Sequence, residues 1–192
     1  MSFKVNACSL VLSISFSAPF AIQAKGRISK PEAAKAYDAI GSRGLALLNW
    51  EWQPILPEWK ISFEPGRKGF LGMTDPNKKR IWLYIRKSDT PGHIACTLTH
   101  EYTHAFDVTF LTDKLRKVWL AIRGISFDVP WLNPCEECSD FAFGSGDFAE
   151  CVKWTLQRPS HNFKSALGGI PTSKQQELIL QWLHDLPQKA EE

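Results

Sequence analysis

An α+β fold is what this sequence predicts, on three observations. Two short stretches, residues 59–64 and 80–86, alternate apolar with polar side chains as half-buried strands do. Longer stretches on either side carry apolar residues at helical spacing, including 94–110, 113–123 and 173–184. Between the strand-like stretches, Asp75-Pro76-Asn77-Lys78-Lys79 supplies turn chemistry, so 69–74 and 80–86 form a plausible hairpin. At 192 residues, 44% apolar and with eight tryptophans, the chain suits one globular domain with a sizeable core, spanning 25–192.

Residues 1–24 come first and differ from the rest. Lys4 is their one charge; an apolar run at 7–22 follows, ending in small residues before Lys25. That composition predicts a secretory signal peptide cut after Ala24, and hence a secreted or periplasmic mature protein. The run is short for a membrane span, so no stable membrane insertion is expected once it is removed. Loss of Lys4 takes the formal charge from +3 to +2, too weak a balance for a nucleic acid partner. Ser29-Lys30-Pro31-Glu32 then forms a capping box that opens a helix toward Leu48, with Gly41 and Gly44 as points of interruption. The prolines at 54 and 57 mark a connector to the sheet, and Pro187 marks the end of the last helix.

Within the 94–110 helix stands His100-Glu101-Tyr102-Thr103-His104, the pattern H-E-x-x-H. Residues four apart share a helix face, so both imidazoles can grip one metal ion while Glu101 addresses a metal-bound water as general base. The apolar positions Ile94, Leu98, Tyr102, Ala105 and Phe106 give that helix one buried side, as the chemistry requires. Zinc also needs a third protein ligand and an open position for water. Downstream, Gly144-Ser145-Gly146-Asp147-Phe148-Ala149-Glu150 offers two acids at the start of another helix. Asp147 and Glu150 also have the spacing of a helix capping box, and capping and ligation can coexist. Asp107, three residues past His104, is placed either to hydrogen-bond an imidazole from behind or to face solvent.

Taken in order, helix, strands, metal-binding helix and downstream acid, these elements resemble the zincin metallopeptidases. The likeness covers residues 59–154, and residues 134–150 look like the P-C-x-x-C-S-D-F-A-x-G-x-G-D-F-A-E block of small secreted zincin-like proteins. It implies a small mixed or antiparallel sheet packed on the H-E-x-x-H helix, one catalytic Zn2+, and hydrolysis of peptide or protein substrates. Gly144-Ser145-Gly146-Asp147 is similar to the aspzincin signature G-T-x-D, which makes Asp147 the expected third ligand. Glu150 then orients a histidine, or is itself the ligand as in the glutamate zincins. The resemblance further implies that 80–86 borders the substrate cleft and pairs with an extended peptide. Tyr37, Tyr84 and Tyr102 match no family's oxyanion-stabilising residue, and His161 reads as an ordinary loop histidine.

Cys96, Cys135, Cys138 and Cys151 remain in the mature chain, an even set that an oxidising compartment would join in two of three possible pairings. Cys96 lies one turn before His100 and Cys151 beside Glu150, which suggests a bridge clamping the two ligand-bearing helices, with Cys135 and Cys138 closing a local loop. The competing reading, from another class, is a disulfide-stabilised envelope binding protein that keeps a zincin-like fold without turnover.

Overall fold

The structure is a computed structural model that describes residues 30–133, 139–157 and 163–190. The leader expected at 1–24, Ser29, Cys135, Cys138 and His161 lie outside those residues. In chain order come α1 (Lys30–Leu45), α2 (Trp52–Ile55), β1 (Lys60–Pro65), β2 (Gly72–Asp75), β3 (Arg80–Ile85), α3 (Pro91–Phe110) and α4 (Asp113–Arg123), then a single 3-10 turn at Asp140–Ala142, α5 (Gly144–Gln157) and α6 (Ser173–Lys189). The fold is α+β, with a small mixed sheet.

Alternation in β3 decides which side of the sheet is covered. Ile81, Leu83 and Ile85 are buried, whereas Arg80, Trp82 and Tyr84 lie on the opposite face. Full burial of each such aliphatic side chain stabilises the fold by about 1.5–3 kcal/mol. They pack under α3, whose own buried stripe includes Ile94, Leu98, Tyr102 and Phe106. Trp52 stacks on Tyr102 at 5.3 Å between ring centroids, and Trp119, Phe148 and Trp182 form a second aromatic cluster where α4, α5 and α6 meet. Among the described residues, no helix is long and apolar enough to cross a membrane.

The 69–74/80–86 hairpin appears as β2 and β3, antiparallel, with Gly72 opposite Leu83 and Asp75 opposite Arg80. The strand expected at 59–64 is β1, which pairs parallel to β3 from its other side, so the sheet order is β1-β3-β2. This order corrects the role implied for 80–86. β3 is the central strand, and its backbone groups are already engaged on both sides, so it cannot take up a peptide. Among the described residues, the edge strand beside α3 is β2.

Three helix expectations also change. α1 runs through Gly41 and Gly44, because those glycines serve close packing: a Cβ at Gly41 would stand 2.5 Å from the Phe63 ring, and one at Gly44 2.3 Å from Ile94. α6 continues past Pro187 to Lys189, since a proline in the last turn forfeits only one of the helix's hydrogen bonds. α5 begins at Gly144, which puts Asp147 inside the first turn and not at the N-cap of a capping box. α3 starts three residues before the expected 94–110 stretch: Thr90 accepts from the His93 amide, and Pro91 occupies the first turn.

Candidate metal centre

His100 and His104, one turn apart on α3, present their Nε2 atoms to each other at 3.1 Å. Asp140, from the 3-10 turn, brings Oδ2 to 2.8 Å from His100 Nε2 and 3.1 Å from His104 Nε2. These three residues form a group able to hold a metal ion. On the far side of the ring, His100 Nδ1 lies 3.0 Å from Glu150 Oε1, a contact that fixes the ring with Nε2 turned toward Asp140 and His104. An acceptor-only carboxylate and two imidazole nitrogens this close need protons or a metal ion among them: protonated imidazoles donate to Asp140, and a cation could take the protons' place. A tetrahedral zinc ion with bonds of about 2.0–2.1 Å separates its ligand atoms by about 3.3 Å, so the observed triangle is close to the right size.

Glu150 is buried and bound on every side. Besides His100, it accepts from Lys153 Nζ at 2.5 and 2.6 Å and from the Lys164 backbone amide at 2.9 Å. Burial opposes a charged His100, but the Asp140 and Glu150 carboxylates outweigh it and push the imidazole up to about 10. The reciprocal effect holds Asp140 well below the usual carboxylate range despite burial, through His100 and His104. Burial likewise raises Glu150, yet the His100 and Lys153 contacts bring it below its ordinary value.

A pH dependence follows for the metal-free protein. Glu150 has a lowered folded pKa, so its contribution is complete above its ordinary 4.5 and is lost as pH falls through the folded value. His100 has a raised one, so its contribution is complete below 6.5 and is lost as pH rises through about 10. Urea midpoints of chelator-treated protein should therefore peak between pH 4.5 and 6.5. Glu150→Gln should flatten the acid limb; an acid limb left unchanged would remove Glu150 from this account.

The structure does not bring Asp147 to the imidazoles. Its carboxylate is fully buried and accepts from Arg123 Nε and Nη2 at 2.9 Å each, Trp119 Nε1 at 3.0 Å and Ser165 Oγ at 2.6 Å. All its acceptor capacity is used in joining α5 to α4 and to the loop before α6, and the carboxylate that stands with the two imidazoles is that of Asp140. Nor does Asp107 hydrogen-bond an imidazole or face solvent. It is 1% exposed and accepts from Arg116 Nε at 3.0 Å and Trp131 Nε1 at 2.8 Å, pinning α4 and the chain at Trp131 to α3.

The proposed clamp between α3 and α5 is absent as well: Cys96 and Cys151 are free thiols. Cys151 is buried with its sulfur toward Asp147 Oδ2, at 3.9 Å, while Cys96 is only half-buried near Glu150 and Lys153. Burial raises both thiols. The two helices are joined instead by the His100–Glu150 contact and by the Gln157 amide meeting the Thr99 hydroxyl at 2.9 Å.

Glu101 points from α3 toward β2. It is 7% exposed, and Thr74 Oγ1 lies 2.8 Å from its Oε2.

Asp140 is the residue that sequence reasoning missed. The signal for it was present: Asp-Phe-Ala occurs twice, at 140–142 and 147–149. Gly146 separates the copies for a steric reason, since a Cβ there would fall 2.0 Å from the Asp140 carbonyl oxygen. The glycine lets the first turn of α5 pass directly against the turn that carries Asp140. Phe141, next in that turn, meets the His100 ring edge-on at 5.7 Å. Comparisons with protein-family models, with curated proteins and with solved structures return no match to this chain.

Proposed function

We propose that this chain is a zinc-dependent peptidase of the zincin type, with His100, His104 and Asp140 holding the ion and Glu101 acting as general base. The observation that carries the reading is the convergence of two imidazole nitrogens and one carboxylate oxygen within 3.1 Å, with Glu101 on the same helix. When bound, zinc supplies Lewis acidity, polarising a carbonyl and acidifying water. Glu101 takes up a proton from water and passes it to the leaving amine. Its Oε1 has no hydrogen-bond partner among the described residues, which suits it to that task. Glu150, neutralised by Lys153, keeps the His100 ring turned toward the ligand triangle.

A peptide is favoured as substrate by the position of β2 as an edge strand among the described residues. An extended chain can add there as a further strand, beside the carboxylate that Thr74 touches. The leader-like composition of residues 1–24 supports a periplasmic or extracellular location. The test is to purify the mature chain, measure its zinc, and follow cleavage of unfolded casein with and without chelator. Stoichiometric zinc and cleavage that chelation stops and zinc restores are expected. A chain that takes up no zinc sinks the reading.

A further inference from the structure

Glu101 is held in place by the strand beside it. Thr74 Oγ1 lies 2.8 Å from Glu101 Oε2 and 3.0 Å from the Glu101 carbonyl oxygen. An ionised carboxylate only accepts, so the hydroxyl must be the donor. Two residues earlier on β2, a Cβ at Gly72 would come within 2.6 Å of Glu101 Cγ and Oε1. Alternate strand positions share a face, so Gly72 and Thr74 meet the carboxylate together. They pair in register with Leu83 and Ile81, both buried, which ties this cradle to the most firmly packed strand of the sheet. The strand thus leaves room for the carboxylate at one position and fixes its direction at the other.

We propose that Thr74 is the positioning residue for Glu101: its hydroxyl occupies Oε2 and leaves Oε1 as the proton acceptor, in space that Gly72 keeps open. This rests on the reading of Glu101 as general base. A glutamate side chain rotates about several bonds, and displacement of a reacting group by about 1 Å costs roughly 100-fold in rate. A hydroxyl that removes that freedom contributes to turnover without touching substrate.

The experiment uses Thr74→Val, which removes the hydroxyl at similar size, and Thr74→Ser, which keeps it. In the zinc-loaded chain, Thr74→Val should lower kcat about 10- to 100-fold with zinc content and KM unchanged, and Thr74→Ser should recover it. In the metal-free chain, Thr74→Val should lower Tm more in the unaltered background than in a Glu101→Ala background, where only the contact with the residue-101 carbonyl is left to lose, a coupling that general damage to β2 would not produce. Equal Tm losses in both backgrounds overturn the proposal, as does coupling with an undiminished kcat. Coupling in a chain that shows no chelator-sensitive hydrolysis overturns the peptidase reading instead.

Discussion

Glu101→Gln is expected to leave zinc content unchanged and reduce hydrolysis by orders of magnitude, while His100→Ala, His104→Ala and Asp140→Ala each empty the site. The amide of glutamine still accepts from Thr74 and fills the same space, so the ligand triangle is undisturbed. It cannot take up a proton, and general-base chemistry stops there. The other three substitutions remove a ligand atom from a set of three and leave two, which cannot define a tetrahedral site. Asp140 is the cleanest of these, because its side chain is 30% exposed and anchors little besides the two imidazoles. Elemental analysis after dialysis against a weak chelator checks all four. Full zinc occupancy in both histidine variants would end the metalloenzyme reading, and full occupancy in Asp140→Ala alone would end the assignment of the third ligand.

The parts of this molecule that could be read from sequence are those fixed by neighbours along the chain. Alternation at 80–86 and helical spacing at 94–110 are local patterns, and β3 and α3 form where they predict. Thr90 and Pro91 start α3 three residues ahead of the stretch that the spacing marks. Harder to read were outcomes decided by distant partners. Nothing near Gly41 announces the Phe63 ring, and nothing near Gly44 announces Ile94, so two packing glycines looked like breaks. The hairpin was visible from its turn, but β1 joining β3 in parallel depends on the crossover between them, and that pairing makes β3 central and β2 the edge. The two Asp-Phe-Ala copies differ little in sequence. Arg123, from α4, and Ser165, from the loop before α6, settle which aspartate is buried, and neither carries a motif.

That division of labour between the two aspartates gives the second large effect. Asp147→Ala is expected to cost about 3–5 kcal/mol of stability, because it removes one member of a buried ion pair and leaves Arg123 without its carboxylate. The side chains of Arg123 and Asp147 are 4% and 0% exposed, and two parallel N–H···O contacts link them, so solvent screening discounts little of this. For a chain of this size the loss corresponds to a fall in Tm of roughly 10 °C. Trp119 and Ser165 lose their acceptor at the same time, loosening the aromatic cluster of Trp119, Phe148 and Trp182. Zinc affinity of the fraction that remains folded should stay near that of the unaltered chain, since the carboxylate lies away from the ligand triangle. Asp140→Ala should abolish tight zinc binding and lower Tm of the metal-free protein less than Asp147→Ala does, since its partly exposed carboxylate holds only the two imidazoles. Calorimetry on metal-free samples, with competition against a fluorescent chelator below each Tm, separates the two effects. If Asp147→Ala melts with the unaltered chain yet fails to hold zinc, Asp147 is the third ligand and Asp140 is not.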